Sequence, residues 1–260
     1  MFKLVSVFLL VLIRCFPVMA SEYQVERFAL VIGNQAYAAA PLKHAENDAR
    51  QIASALESID FQVTTLLNLD KSSLTRDVSV FFKQVQESNS PAKLVLFFYA
   101  GHAMQINQAN YLIPIGLAFE TQEQLLNNLY DLSELFAHMH SNKDVQHVVI
   151  LDACRNNPFG QGIKSPGLAS IKAPTGTIIA YATEPGGIAS DGRDGNGIYT
   201  KHLLKHIEQN MTVEALFKKV RKGVARETHN RQIPWEHSSL VGQVYLNPPP
   251  NLDLPDIVVF

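Results

Sequence analysis

Cysteine is scarce in this chain of 260 residues: Cys15 and Cys154 are the only two, which excludes the disulfide framework of a small extracellular domain. Excess charge is also missing. With 22 Lys and Arg against 24 Asp and Glu, the net charge of −2 gives no field to gather nucleic acid or an anionic membrane surface. No apolar run reaches the roughly 20 residues that a membrane-crossing helix needs. Leu4 to Ile13 comes nearest, and Arg14 stops it after ten. Cys-x-x-Cys, His-Glu-x-x-His, Gly-x-Ser-x-Gly, phosphate-loop and dinucleotide signatures are all absent, so zinc, serine-hydrolase and nucleotide chemistry have no motif to stand on. His202 and His206, four apart on a helix, read as exposed surface residues, and Asn210-Met211-Thr212 fits the N-glycosylation pattern.

Apolar residues make up 47% of the chain, with 13 Pro and 14 Gly spread along it, enough to bury the core of one large α/β domain. Residues 1–20 read as an export signal: Lys3, the apolar run, then Val18-Met19-Ala20 as a small-residue cleavage site before Ser21. That pattern predicts a periplasmic or extracellular protein, the alternative being an N-terminal membrane anchor. Signal removal takes Cys15 with it and leaves Cys154 alone, a thiol that is either buried and inert or placed for chemistry.

From Arg27 onward, apolar runs alternate with amphipathic stretches, the pattern of crossover units that build a mostly parallel sheet with helices on both faces. Strands are predicted over Phe28–Ile32, Phe61–Leu67, Leu94–Tyr99, Val145–Leu151 and Thr177–Ala182, about six in all once the sheet is complete. Helices are predicted over 44–58, 71–87, 131–141, 197–209 and 212–226. The domain is bounded at 22–246, and 247–260, with Pro248-Pro249-Pro250, forms an extended tail.

Two buried strands run out into small and polar residues, Tyr99-Ala100-Gly101-His102 and Leu151-Asp152-Ala153-Cys154. Ligands bind beyond the carboxyl ends of strands in open α/β sheets. If the two strands are neighbours, His102 and Cys154 meet, and a base beside a thiol promotes the thiolate that acts as nucleophile. Gly101, lacking a side chain, lets its backbone N–H approach a substrate carbonyl, so that with the N–H of Cys154 it forms an oxyanion hole. No third side chain for a triad is evident.

These residues resemble a known family. Asp-Ala-Cys-Arg-Asn, with a histidine 52 residues upstream, is similar to the caspase signature Gln-Ala-Cys-Arg-Gly with its histidine about 50 residues upstream. Leu30-Val31-Ile32-Gly33-Asn34, Asn47-Asp48-Ala49 and Tyr181-Ala182-Thr183 add matches in the same order. Over roughly 27–241 the chain looks like a caspase-like cysteine peptidase, nearer to paracaspases and metacaspases than to caspases proper. The resemblance implies a three-layer caspase-like fold. Asn156 departs from the signature, where caspases have glycine.

Where caspases resemble a glutamine two residues before the cysteine, this chain has Asp152, which inverts the sign of the pocket: a carboxylate pairs with lysine or arginine and repels aspartate. By resemblance to paracaspases, Asp48 and Asp191 join it, and three acids favour a forked guanidinium, hence arginine over lysine. Asp48 also stands near a helix start, where negative charge is favourable in any case, and Asp191 stands in an Asp-Gly turn. The implied activity is cleavage of a peptide or protein after a basic residue, through an acyl-enzyme, with no metal or organic cofactor. Calcium activation, frequent in metacaspases, has no oxygen-ligand loop to mark it here. Lys164 and Lys172, in the Gly/Pro/Ser-rich stretch Phe159–Pro174, are candidate self-cleavage points, against a plain surface loop. A caspase-like domain used as a binding or regulatory module is the main alternative, and transfer of another acyl group by the same dyad is a third.

Overall fold

A computed structural model describes residues 25–140, 145–154, 168–169, 172–184, 187, 189–190, 192 and 194–250, with Cys154 described by its backbone. Residues 1–20, expected to be an export signal, and Lys164 and Asp191 lie outside the described residues.

Continuous apolar runs such as Phe28-Ala29-Leu30-Val31-Ile32 suit strands that are covered on both faces. Four such strands, β1 (Glu26–Gly33), β3 (Lys93–Ile106), β6 (Val145–Cys154) and β7 (Thr177–Tyr181), form a parallel array with β2 (Gln62–Leu67), a more polar and only partly buried strand at its edge. An antiparallel edge strand, β8 (Trp235–Ser238), completes the order β2-β1-β3-β6-β7-β8. Alternate residues of each strand enter opposite cores. Ala29, Val31, Leu96, Phe98 and Ile150 face α1 (Ala45–Glu57), α5 (Ile198–Leu204) and α6 (Val213–Glu227). Leu30, Ile32, Val95, Phe97 and Val149 face α2 (Lys71–Glu87) and α4 (Leu132–His140). All ten of these strand side chains are fully buried, and each large one contributes about 1.5–3 kcal/mol by leaving water. The result is a mixed α/β fold with helices on both faces of a mostly parallel sheet.

Three of the helices begin where a side chain supplies an acceptor for free N–H groups. Asp70 caps α2 by accepting from Ser73 N at 2.7 Å, and Thr212 caps α6 by accepting from Ala215 N. Short α3 (Gln122–Asn128) carries a full capping box between Thr121 and Gln124. At the far end, Asn210 Nδ2 donates to the carbonyls of Asn247 and Pro248, so the start of the tail is tied down.

One departure from expectation shapes the site. β3 does not end at Tyr99. It runs on through Gly101 and His102 and folds back at Asn107 and Gln108, both at positive φ, into β4 (Ala109–Leu112), which in turn pairs with β5 (Tyr130–Asp131). A two-residue turn with both residues left-handed matches the twist of a hairpin.

Candidate active site

The site is assembled where β3 and β6 run side by side. Their register pairs Ala100 with Asp152, Gly101 with Ala153, and His102 with Cys154. Neighbouring strands lie about 4.8 Å apart, so two residues distant in sequence become adjacent in the sheet.

His102 is 6% exposed. Its Nε2 lies 2.8 Å from the carbonyl oxygen of Ala40. A carbonyl can only accept, so Nε2 carries the proton and the lone pair of the neutral ring is on Nδ1. The Ala40 carbonyl thus orients the imidazole. Tyr37, from the same loop, lies against the ring at 4.4 Å between centroids and 52° of tilt. Its hydroxyl accepts from His102 N at 3.0 Å.

Gly101 has a packing reason to lack a side chain. A Cβ there would come within 2.6 Å of the Tyr99 hydroxyl and 2.8 Å of the Tyr37 hydroxyl. Its other surface lines a cavity shared with Ala100, Asp152, Asp48, His44 and Gly197.

Two of the three expected acids meet in that cavity. Asp48, 4% exposed on the first turn of α1, accepts from Asn196 Nδ2 at 2.8 Å and from Gly197 N at 3.2 Å. Asp152, half-buried near the end of β6, accepts from Thr200 Oγ1 at 2.6 Å. A Cβ built on Gly197 would sit 3.1 Å from Asp48 Oδ2 and 3.3 Å from Asp152 Oδ2, so both carboxylates converge on one point. Asp191 is outside the described residues, while its neighbour Ser190 lines the cavity and Gly192 O bonds His44 Nε2 at 3.1 Å. Asn47 Nδ2 donates to Gly195 O at 2.6 Å, which helps α1 hold the loop that leads into α5.

Several residues of this arrangement escaped the sequence reading. A backbone carbonyl such as that of Ala40 has no sequence signal at all. Tyr37, a tyrosine within four residues of a strand end in an otherwise small and polar loop, could have been noticed, since a buried phenol needs a partner. His202 is a correction: it is 8% exposed, not a surface residue, and its Nε2 bonds Glu227 at 2.8 Å. It is buried because α5 packs on α6 along that face. Burial lowers its pKa, opposed by the Glu227 bond. Lys172 is exposed.

The caspase domain family (Peptidase C14) matches residues 26–245. In fold the chain is similar to the initiator caspase Dronc of Drosophila, with a TM-score of 0.63 at 11% identity over 87% of each chain. It is also similar to protein GSU0716 of Geobacter sulfurreducens, with a TM-score of 0.60 at 15% identity over 82% of this chain and 92% of that one. No curated protein matches its sequence significantly. Since the family match spans both strands of the site and all the helices around them, the chain belongs to the caspase domain family.

Proposed function

We propose that the protein is an exported cysteine endopeptidase that cleaves after arginine, and less readily after lysine, with Cys154 as nucleophile and His102 as its base. The observation that carries this reading is the register of His102 against Cys154 beside a cavity walled by Asp48 and Asp152. His102 Nδ1 takes the thiol proton, and the thiolate sulfur adds to the carbonyl carbon that follows the basic residue. The backbone N–H groups of Gly101 and Cys154 stabilise the oxyanion. The same proton passes from Nδ1 to the departing amine as the C–N bond breaks and the thioester forms. Water, deprotonated by Nδ1, then releases the acid and restores the thiol.

Specificity rests on charge. A guanidinium between two carboxylates gains charge-assisted hydrogen bonds, while an aspartate side chain would add a third like charge. Asp191 is proposed as a further acid of this pocket, and the first twenty residues as the export signal.

Incubation of the purified domain with reporter peptides ending in Arg, Lys or Asp tests the reading. Turnover of the Arg peptide that thiol alkylation and Cys154→Ala both abolish is the expected result. Thiol-independent turnover, or a preference for Asp, overturns the assignment. No turnover of any peptide would leave the domain as a binding or regulatory module.

A further inference from the structure

The main chain of His102 is held by two buried phenols. Tyr99, 0% exposed on β3, donates from its hydroxyl to His102 O at 2.9 Å, and Tyr37, 7% exposed, accepts from His102 N at 3.0 Å. The two hydroxyl oxygens are 3.1 Å apart, and each lies 3.0 Å from the carbonyl oxygen of Ile113. Ile113 N in turn donates to His102 O at 2.9 Å, which closes the network onto the strand that returns from the hairpin. Both the donor and the acceptor of the His102 peptide units are therefore fixed by side-chain hydroxyls, at the point where β3 leaves the parallel sheet. Burial, followed by the neighbouring Tyr37, pushes the Tyr99 phenol well above its ordinary range and keeps its proton in place.

The imidazole is bracketed by the same loop. The Tyr37 ring covers one side, and the Ala40 carbonyl, three residues on, takes the Nε2 proton. That loop is itself anchored: Asn68 Oδ1 accepts from Gln35 N and Ala36 N, both at 2.9 Å, and Gln35 O accepts from Tyr37 N and Leu42 N.

We propose that Tyr37 and Tyr99 are positioning residues, which act through His102 to hold its imidazole in the single tautomer and orientation that aims Nδ1 at the reacting thiol. This rests on the peptidase reading for its kinetic consequence, but not for its structural one. A hydrogen bond lost at this position should cost several-fold, and displacement of the base by an ångström on the order of 100-fold.

The test compares Tyr37→Phe, Tyr99→Phe and Tyr37→Ala with the wild-type protein. Rates are normalised by titrating active sites with a thiol alkylator, so that misfolded protein does not count. The expected result is a fall in kcat of about 5- to 10-fold in each phenylalanine variant and on the order of 100-fold in Tyr37→Ala, with KM changed less than about twofold. In parallel, nitrogen-15 spectra of the same proteins carrying Cys154→Ala report the tautomer of His102. Wild type should show Nε2–H alone, and Tyr37→Ala a mixture of both tautomers. Phenylalanine restoring the Nε2–H form lost in Tyr37→Ala would identify the ring as its wall. Unchanged tautomer and unchanged kcat per titrated site in all three variants would overturn the proposal. Because the spectra need no turnover, they decide it even if wild type cleaves no peptide.

Discussion

Asp152→Asn probes the charge of the cavity with the least change of shape. Asparagine has the same outline, and its amide oxygen can still accept the 2.6 Å bond from Thr200 Oγ1, so the loss is confined to the negative charge. Asp152 is half-buried, which withholds it from the screening that makes exposed ion pairs worth little. A hydrogen bond between charged partners contributes about 1.5–3 kcal/mol, which corresponds to a loss of about 10- to 150-fold in kcat/KM on an arginine substrate. Citrulline provides the control, being arginine's shape without its charge. Paired reporter peptides ending in arginine and in citrulline, measured on both enzymes per titrated site, isolate the charge in a double comparison. The arginine peptide should lose the full factor and the citrulline peptide less than about threefold. Equal losses on the two peptides, or none on either, would refute the idea that Asp152 reads charge.

Asp48→Asn should behave differently, because this carboxylate also serves the fold by accepting from Gly197 N and Asn196 Nδ2. A lower melting temperature together with weaker arginine cleavage is expected, and calorimetry showing an unshifted transition would argue against the structural half of that role. Gly197→Ala places a methyl between the two carboxylates, so KM for arginine peptides should rise while the rate of Cys154 alkylation stays as it was; a change in alkylation alone would contradict this geometry. His147 on β6 is 1% exposed with neither ring nitrogen hydrogen-bonded among the described residues, and burial first, then His140, brings its pKa down to about 3. The unfolded chain's histidine titrates near 6.5, so between these values the unfolded state binds a proton that the folded state excludes. Stability from this group is therefore complete above about pH 6.5 and lost as the pH falls, by about 2 kcal/mol at about pH 5. Urea titrations of wild type and His147→Leu should diverge by that amount between about pH 7.5 and about pH 5, whereas parallel curves would exclude the mechanism.

Long, strongly patterned elements are legible in the sequence. The α2 boundaries, 71–87, follow from one apolar stripe, Leu74, Val78, Phe81, Phe82 and Val85, set behind an aspartate cap. The short pieces were not. β4, β5, β8 and α3 have two to seven residues each, too few for a period to declare itself, and the hairpin turns on Asn107-Gln108 without the glycine that usually signals one. At the site, His102 and Cys154 stood out because each closely follows a continuous apolar run. The meeting of Asp48 with Asp152 came from family likeness, since nothing in their spacing places a helix start beside a strand end. What holds His102 was largely hidden, as the imidazole's partner is a main-chain oxygen and its peptide groups are bound by hydroxyls whose bonds depend on tertiary approach.

The segment between β1 and α1 supplies Tyr37 and Ala40 to the imidazole and, a few residues later, Leu42 and His44 to the wall of the acidic cavity. Anyone retargeting this scaffold to a new side chain has two unequal routes. Exchanging the acids alone leaves the chemistry where it is, whereas grafting the segment from a relative replaces selectivity and turnover together, so the two traits would be inherited as a block.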